Sequence, residues 1–121
     1  MIEIKEIVVN LLDSVDEIAL VAKTYPNDWT QFPTAIYKTS DKPYSRDTSG
    51  PENMTEHTIY IELYGKASLT SIENTLNDKF REIGFTRIIR SDGEDPATGL
   101  IRTSIQYKGI VDNRNGLVYH A

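Results

Sequence analysis

A chain of 121 residues with 39% hydrophobic and 26% charged side chains can bury one globular core, so we read one domain spanning 1–121 and no extended disorder. The absence of cysteine removes disulfides, thiolate nucleophiles and cysteine-ligated zinc, and a net charge of −5 argues against a grip on nucleic acid, which needs a basic stripe. No apolar run approaches the roughly 18 residues of a membrane-spanning helix. The charged start, Met1-Ile2-Glu3-Ile4-Lys5-Glu6, is unlike a signal peptide, so the expectation is a protein made and kept in a cytosol, or in something assembled there.

Ile4, Ile7, Val8, Leu11, Leu12 and Val15 recur at three-and-four spacing and predict a first helix. Residues Glu17 to Ala22 read as a buried strand, closed by Tyr25-Pro26-Asn27-Asp28, and Thr34 to Lys38 as a short second strand. The stretch from Asp41 to Asn53 carries two prolines, a glycine and no aliphatic residue, which predicts a long polar loop at about 41–53. Thr58 to Tyr64 alternates strictly, with Ile59, Ile61 and Leu63 on one face and Tyr60, Glu62 and Tyr64 on the other.

Thr70-Ser71-Ile72-Glu73 has the pattern of a capping box, Leu69, Ile72, Leu76, Phe80 and Ile83 mark one helical face, and Gly84 stands where a left-handed C-terminal cap belongs. Phe85 to Ile89 predicts a strand, Ser91 to Gly99 an acidic loop, and Ile101 to Lys108 a long strand with one polar face. Asn115-Gly116 is a two-residue turn signal, followed by Leu117-Val118-Tyr119 as a short returning strand in a hairpin or tail at about 113–121. The expected fold is α+β: a mostly antiparallel sheet of about five strands with two helices packed on one face.

Motifs that suggest chemistry are incomplete. Gly65-Lys66-Ala67-Ser68 lies between a strand and a helix, but a phosphate loop needs glycine where Tyr60 stands and a hydroxyl where Ala67 stands. Asp92-Gly93-Glu94-Asp95 lacks the spacing of a calcium loop, whose twelfth position is Thr103. His57 and His120 have no HExxH-type pairing, no G-x-S-x-G elbow occurs, and no partner carboxylate can be nominated for Glu62. No catalytic, metal or cofactor residue is therefore assigned, and no enzyme activity is expected.

The surface reads instead as one for binding proteins. Residues 2–28 carry a net −4, whereas the segment from Gly84 onward carries a net +4 once Asp92, Glu94 and Asp95 are set aside. Such asymmetry suits contact between unlike faces. Candidate interface residues are Tyr60, Glu62 and Tyr64 on the second face of their strand, Arg46 and Asp47 in the polar loop, and Asp92, Glu94 and Asp95 in the acidic loop. For the tyrosines, cover by another part of the same subunit is the competing account.

The proline-led strand Phe32-Pro33-Thr34-Ala35-Ile36-Tyr37, the polar loop after it, Thr58 to Gly65, the helix ending at Gly84-Phe85, and Ile105 to Asn113 together form a pattern. It resembles the tail terminator (tail completion) proteins of phages with long non-contractile tails, closest to minor structural proteins of Gram-positive prophages. The resemblance runs from the first helix to about Val111 and implies no active-site residue. It implies a homo-oligomeric ring, usually a hexamer, at the head-proximal end of the tail in the virion, assembled in the host bacterial cytoplasm. The implied partners are further copies of itself, the major tail tube protein and a head–tail connector protein, with DNA passing through the lumen without specific binding, no cofactor and no membrane. A connector component (stopper or adaptor) is the alternative, and a small nucleotide-binding or enzymatic domain the outside one.

Overall fold

The alternating segment of Ile59, Ile61 and Leu63 lies at the centre of a sheet in a computed structural model that describes residues 4–24, 31–43, 54–94, 96–97, 99–112 and 118–120. The elements in chain order are α1 (Ile4–Asp13), β1 (Leu20–Ala22), β2 (Thr34–Pro43), β3 (Met54–Gly65), α2 (Thr70–Glu82), β4 (Thr86–Glu94), β5 (Ile101–Asp112) and β6 (Val118–His120). The strand order is β1-β2-β3-β5-β4. Among the described residues only β1 and β2 run parallel; every other pair is antiparallel. Because β3 flanks β5 along its whole length, β6 lies on the β4 side, pairing with Gly109–Val111 where the β4 ladder has ended at Lys108.

A side-chain period of two sends alternate residues to opposite faces, and registered strands add up their apolar sets. Ala35 and Tyr37 of β2, Ile59, Ile61 and Leu63 of β3, and Ile105, Tyr107 and Val111 of β5 form one buried layer. Over it lie Ile4, Val8, Leu11 and Leu12 of α1 and Ile72, Leu76 and Phe80 of α2, so both helices cover the same face. This is the α+β arrangement expected from the sequence. Phe80 stacks on Tyr107 with centroids 4.2 Å apart, and the Tyr107 hydroxyl donates to Asn77 Oδ1 at 2.6 Å, which gives a buried phenol its partner on α2. Burial, then the nearby negative charge of Glu73, raises the pKa of that phenol.

Gly84 ends α2 as expected. Its φ of 94° is the left-handed conformation, Gly84 N–H donates to the Arg81 carbonyl at 3.0 Å, and Phe85 N–H donates to the Phe80 carbonyl at 2.9 Å. That hydrogen-bond pair is a Schellman motif, and it turns Phe85 into the core at 1% exposure.

Four local expectations require correction. The capping box does not form: Leu69 is the N-cap residue, without a side-chain cap, and the Ser68 hydroxyl accepts the Thr70 N–H at 3.4 Å. Glu73 is engaged by two arginines of β4, a stronger set of partners than one backbone N–H. The strand expected from Glu17 to Ala22 is only Leu20–Ala22 and half-buried, because Val15 and Ile18 N–H close turns onto the Leu12 and Val15 carbonyls.

The polar loop starts later than expected, since β2 continues through Asp41, Lys42 and Pro43 against Thr55–His57. Backbone pairing needs no aliphatic side chain. This end of β2 lies past the three-residue β1, on an edge where proline is tolerated. Likewise Ser91–Glu94 belongs to β4, paired with Ile101–Ser104, so the acidic loop is shorter than predicted. Positions 44–53 of the polar loop, the Tyr25–Asp28 turn and the Asn115-Gly116 turn lie outside the described residues; the expected short returning strand forms as β6, antiparallel to β5.

Candidate functional site

The face of the sheet opposite the helices is built from the other parity of the same strands. Register sets Lys38 beside Tyr60, Lys42 beside Glu56, and Thr58 beside Lys108. Glu56 Oε1 forms ion pairs with two ammonium groups, Lys108 Nζ at 3.2 Å and Lys42 Nζ at 3.7 Å, and Lys38 Nζ lies 5.9 Å from the Tyr60 ring centroid. Among the described residues, with Arg102 on β5, four basic groups share this face with three carboxylates, Glu56, Glu62 and the buried Asp112. Its central side chains, Thr58, Tyr60, Ser104, Gln106 and Lys108, are half-buried, and a shallow groove of about 280 Å³ runs between Lys42, Tyr60, Ile88 and Lys108.

A β-bulge decides how this face ends. Between Arg87, opposite Tyr107, and Ile89, opposite Gln106, the β4 register shifts by one residue. Without the shift, Arg87 and Arg90 would face opposite sides, since they are three apart. With it, both reach the helix side and Ile88 and Ile89 line the open face, 43% and 57% exposed. Sequence reading treated Phe85 to Ile89 as an ordinary strand and missed this pair of isoleucines. The usable signal was two arginines three apart on a strand beside a glutamate at an inward position of α2.

Glu73, 6% exposed, is the anchor of that arrangement. Arg90 Nε and Nη2 donate to its two oxygens at 2.6 and 3.0 Å, and Arg87 Nη1 donates to Oε2 at 3.1 Å. Arg90 also donates to Asp92 Oδ1 at 2.6 Å, which accepts the Thr103 hydroxyl at 3.0 Å. The hydrogen bonds from Arg90, then Thr103, lower the Asp92 pKa, while those to Glu73 and Asp92 raise that of Arg90.

The predicted interface residues therefore separate. Tyr60 and Glu62 lie on the open face, half-buried. Tyr64 is only 2% exposed: Phe32, Ile36 and Leu100 close over it, and its hydroxyl donates to Glu62 Oε2 at 2.6 Å. The competing account, cover within the same subunit, thus holds for Tyr64. Asp92 belongs to the arginine network on the helix side, and Glu94 is an exposed residue at the end of β4 rather than in a loop. Arg46, Asp47 and Asp95 lie outside the described residues.

The strand-to-helix turn at Gly65-Lys66 is packed rather than open. A Cβ on Gly65 would meet Leu69 Cδ2 at 2.8 Å, and Lys66 Nζ sits 4.9 Å over the Phe32 ring. Among the described residues no His/Cys/Asp/Glu group has metal-binding geometry, and no helix is long and apolar enough to cross a membrane. Comparison with protein-family models and with curated proteins finds no match to this chain.

His57, 5% exposed, projects to the helix side opposite Asp41 and Gly109. Burial lowers its pKa below 6.5, and Asp41 opposes the shift without cancelling it. A histidine with a depressed folded-state pKa binds its proton more readily when unfolded. Its contribution is therefore intact above about pH 6.5 and is lost as pH falls from there toward the folded pKa. Urea midpoints should fall between pH 7 and pH 5, and His57→Gln should flatten that slope. Equal slopes for the two proteins would refute the assignment.

Proposed function

We propose that this protein is a phage structural component that caps the tail tube as a closed ring and supplies the surface that joins tail to head. The observation that carries the reading is the pair of unlike faces: a sheet surface carrying three lysines and an arginine with two exposed isoleucines, and a helix layer with Glu6, Asp13, Asp16 and Glu17 exposed on and just after its first helix. Chemically mixed faces of opposite charge excess suit subunit contacts, where aromatic and aliphatic side chains anchor and charges set register. A heterologous contact closes into a ring if its rotation permits, and closure is what ends a lattice. The resemblance to tail terminator proteins supplies the particular lattice.

The test is deletion of the gene in its phage or prophage. Tube subunits contact one another without this protein, so tails should still polymerise. They should overgrow their set length or lie unattached beside filled heads, and infectious particles should be absent. Electron micrographs showing tails of normal length would refute tail capping; if the heads then leaked DNA or failed to join, a connector role would take its place.

A further inference from the structure

We propose that copies of this chain join front to back, the open sheet face of one seated on the acidic α1 side of the next. The inference rests on the ring reading above and names the two surfaces that make the ring. On the helix side, Glu6, Asp13, Asp16 and Glu17 are all exposed, with Lys5 and the neighbouring Lys23 as basic counterparts. Glu17 accepts a hydrogen bond from the Ser71 hydroxyl at 3.1 Å, which extends the acidic surface from the end of α1 to the start of α2. Among the described residues the sheet face has the opposite excess, through Lys38, Lys42, Arg102 and Lys108 against Glu56, Glu62 and the buried Asp112.

Two copies stacked sheet to sheet would bring like charge together, whereas front-to-back stacking pairs opposite charge at every contact. The same contact buries Ile88 and Ile89, which the bulge turns outward together. Half-buried Ile7 and Val9 flank the inward stripe of α1 and offer apolar area to meet them. A front and a back that differ make the contact heterologous, as a ring demands.

Charge swapping tests this directly. One variant carries Lys38→Glu and Arg102→Glu on the sheet face; the other carries Asp13→Lys and Asp16→Lys on the helix side. All four positions are exposed, so both should keep the wild-type circular dichroism spectrum. In sedimentation velocity and native mass spectrometry at matched concentration, wild type should form closed oligomers, and each variant alone should associate at least about tenfold more weakly. An equimolar mixture should recover assembly, because the reversed front of one variant meets the reversed back of the other. Ile88→Ser with Ile89→Ser should weaken assembly in a way that no mixing recovers.

Either charge variant assembling alone as well as wild type, a mixture that fails to recover, or a wild type that stays monomeric at high concentration would overturn the proposal. The deletion phenotype is read separately. Overgrown tails with failed charge swapping would leave capping standing on other surfaces. Recovered assembly with normal-length tails would keep the contact and remove the capping role.

Discussion

Gly109→Ala should cost about 3 kcal/mol, the upper part of the range for forcing a methyl group into a packed core. Gly109 sits in the middle of three strands, opposite His57 on β3 and His120 on β6. A Cβ there would meet Phe85 Cδ1 at 2.6 Å and Cε1 at 2.7 Å, with Val118 Cγ1 at 3.0 Å behind them. Phe85 is 1% exposed and follows directly on the Schellman turn of α2, so its ring is enclosed in a close-packed core and can yield only by displacing neighbours. Backbone strain is not the cause, because Gly109 is not a positive-φ residue. Gly93→Ala is the matched control: it too lies in a strand, and its added Cβ would find only Arg102 Nη2, at 3.7 Å. That variant should stay within about 0.5 kcal/mol of wild type. Urea denaturation at fixed protein concentration reads both, and a Gly109→Ala loss under about 1 kcal/mol would refute the close-approach account.

The second large effect concerns the clamp between α2 and β4, and its content is an inequality. Arg87→Ala with Arg90→Ala should destabilise more than Glu73→Ala. Removing both guanidiniums strands a carboxylate at 6% exposure, and an uncompensated buried charge costs about 3–5 kcal/mol. Removing the carboxylate leaves two arginine side chains that are 43% and 36% exposed and can turn into water, so about 1–2 kcal/mol is expected, mainly for the lost hydrogen bonds. Chemical denaturation of the three proteins decides it, and a Glu73→Ala loss equal to or above that of the double variant would contradict the asymmetry. The double variant should also loosen the bulge, since the bonds to Glu73 hold positions 87 and 90 on the same side. Hydrogen exchange in β4 should rise with it.

Much of the fold was legible because local patterns carry it. The alternation through β3 placed Ile59, Ile61 and Leu63 in the core, the periodicity of α2 placed Ile72, Leu76 and Phe80 against them, and Gly84 marked the end of that helix. Each of those signals is a relation between residues a few positions apart, and short-range spacing is what a sequence displays. The same holds for the charge difference between the first 28 residues and the last 38, although the strand register divides the latter, with Arg102 and Lys108 on the open face and Arg87 and Arg90 on the helix side.

The candidate surface was legible only in part. Tyr60 and Glu62 were placed on the correct face by parity, but Tyr64, of the same parity, is covered by Phe32 and Leu100, 32 positions before it and 36 after. The capping box failed for the same kind of reason: Thr70 and Glu73 have the right local spacing, and two arginines beyond the helix engage Glu73. Strand ends at Pro43 and Glu94 were set by the partner strands opposite, which supply hydrogen bonds that polar side chains cannot advertise.

What the sequence determined by itself was therefore the parity of β3, the inward face and C-terminal cap of α2, and the lack of complete catalytic or metal-binding motifs. Only the tertiary structure decided the bulge that turns Ile88 and Ile89 outward. That turn depends on the balance between one residue of broken β4–β5 ladder and a buried carboxylate held by two guanidiniums, and the carboxylate lies on another element, 14 residues from the nearer arginine.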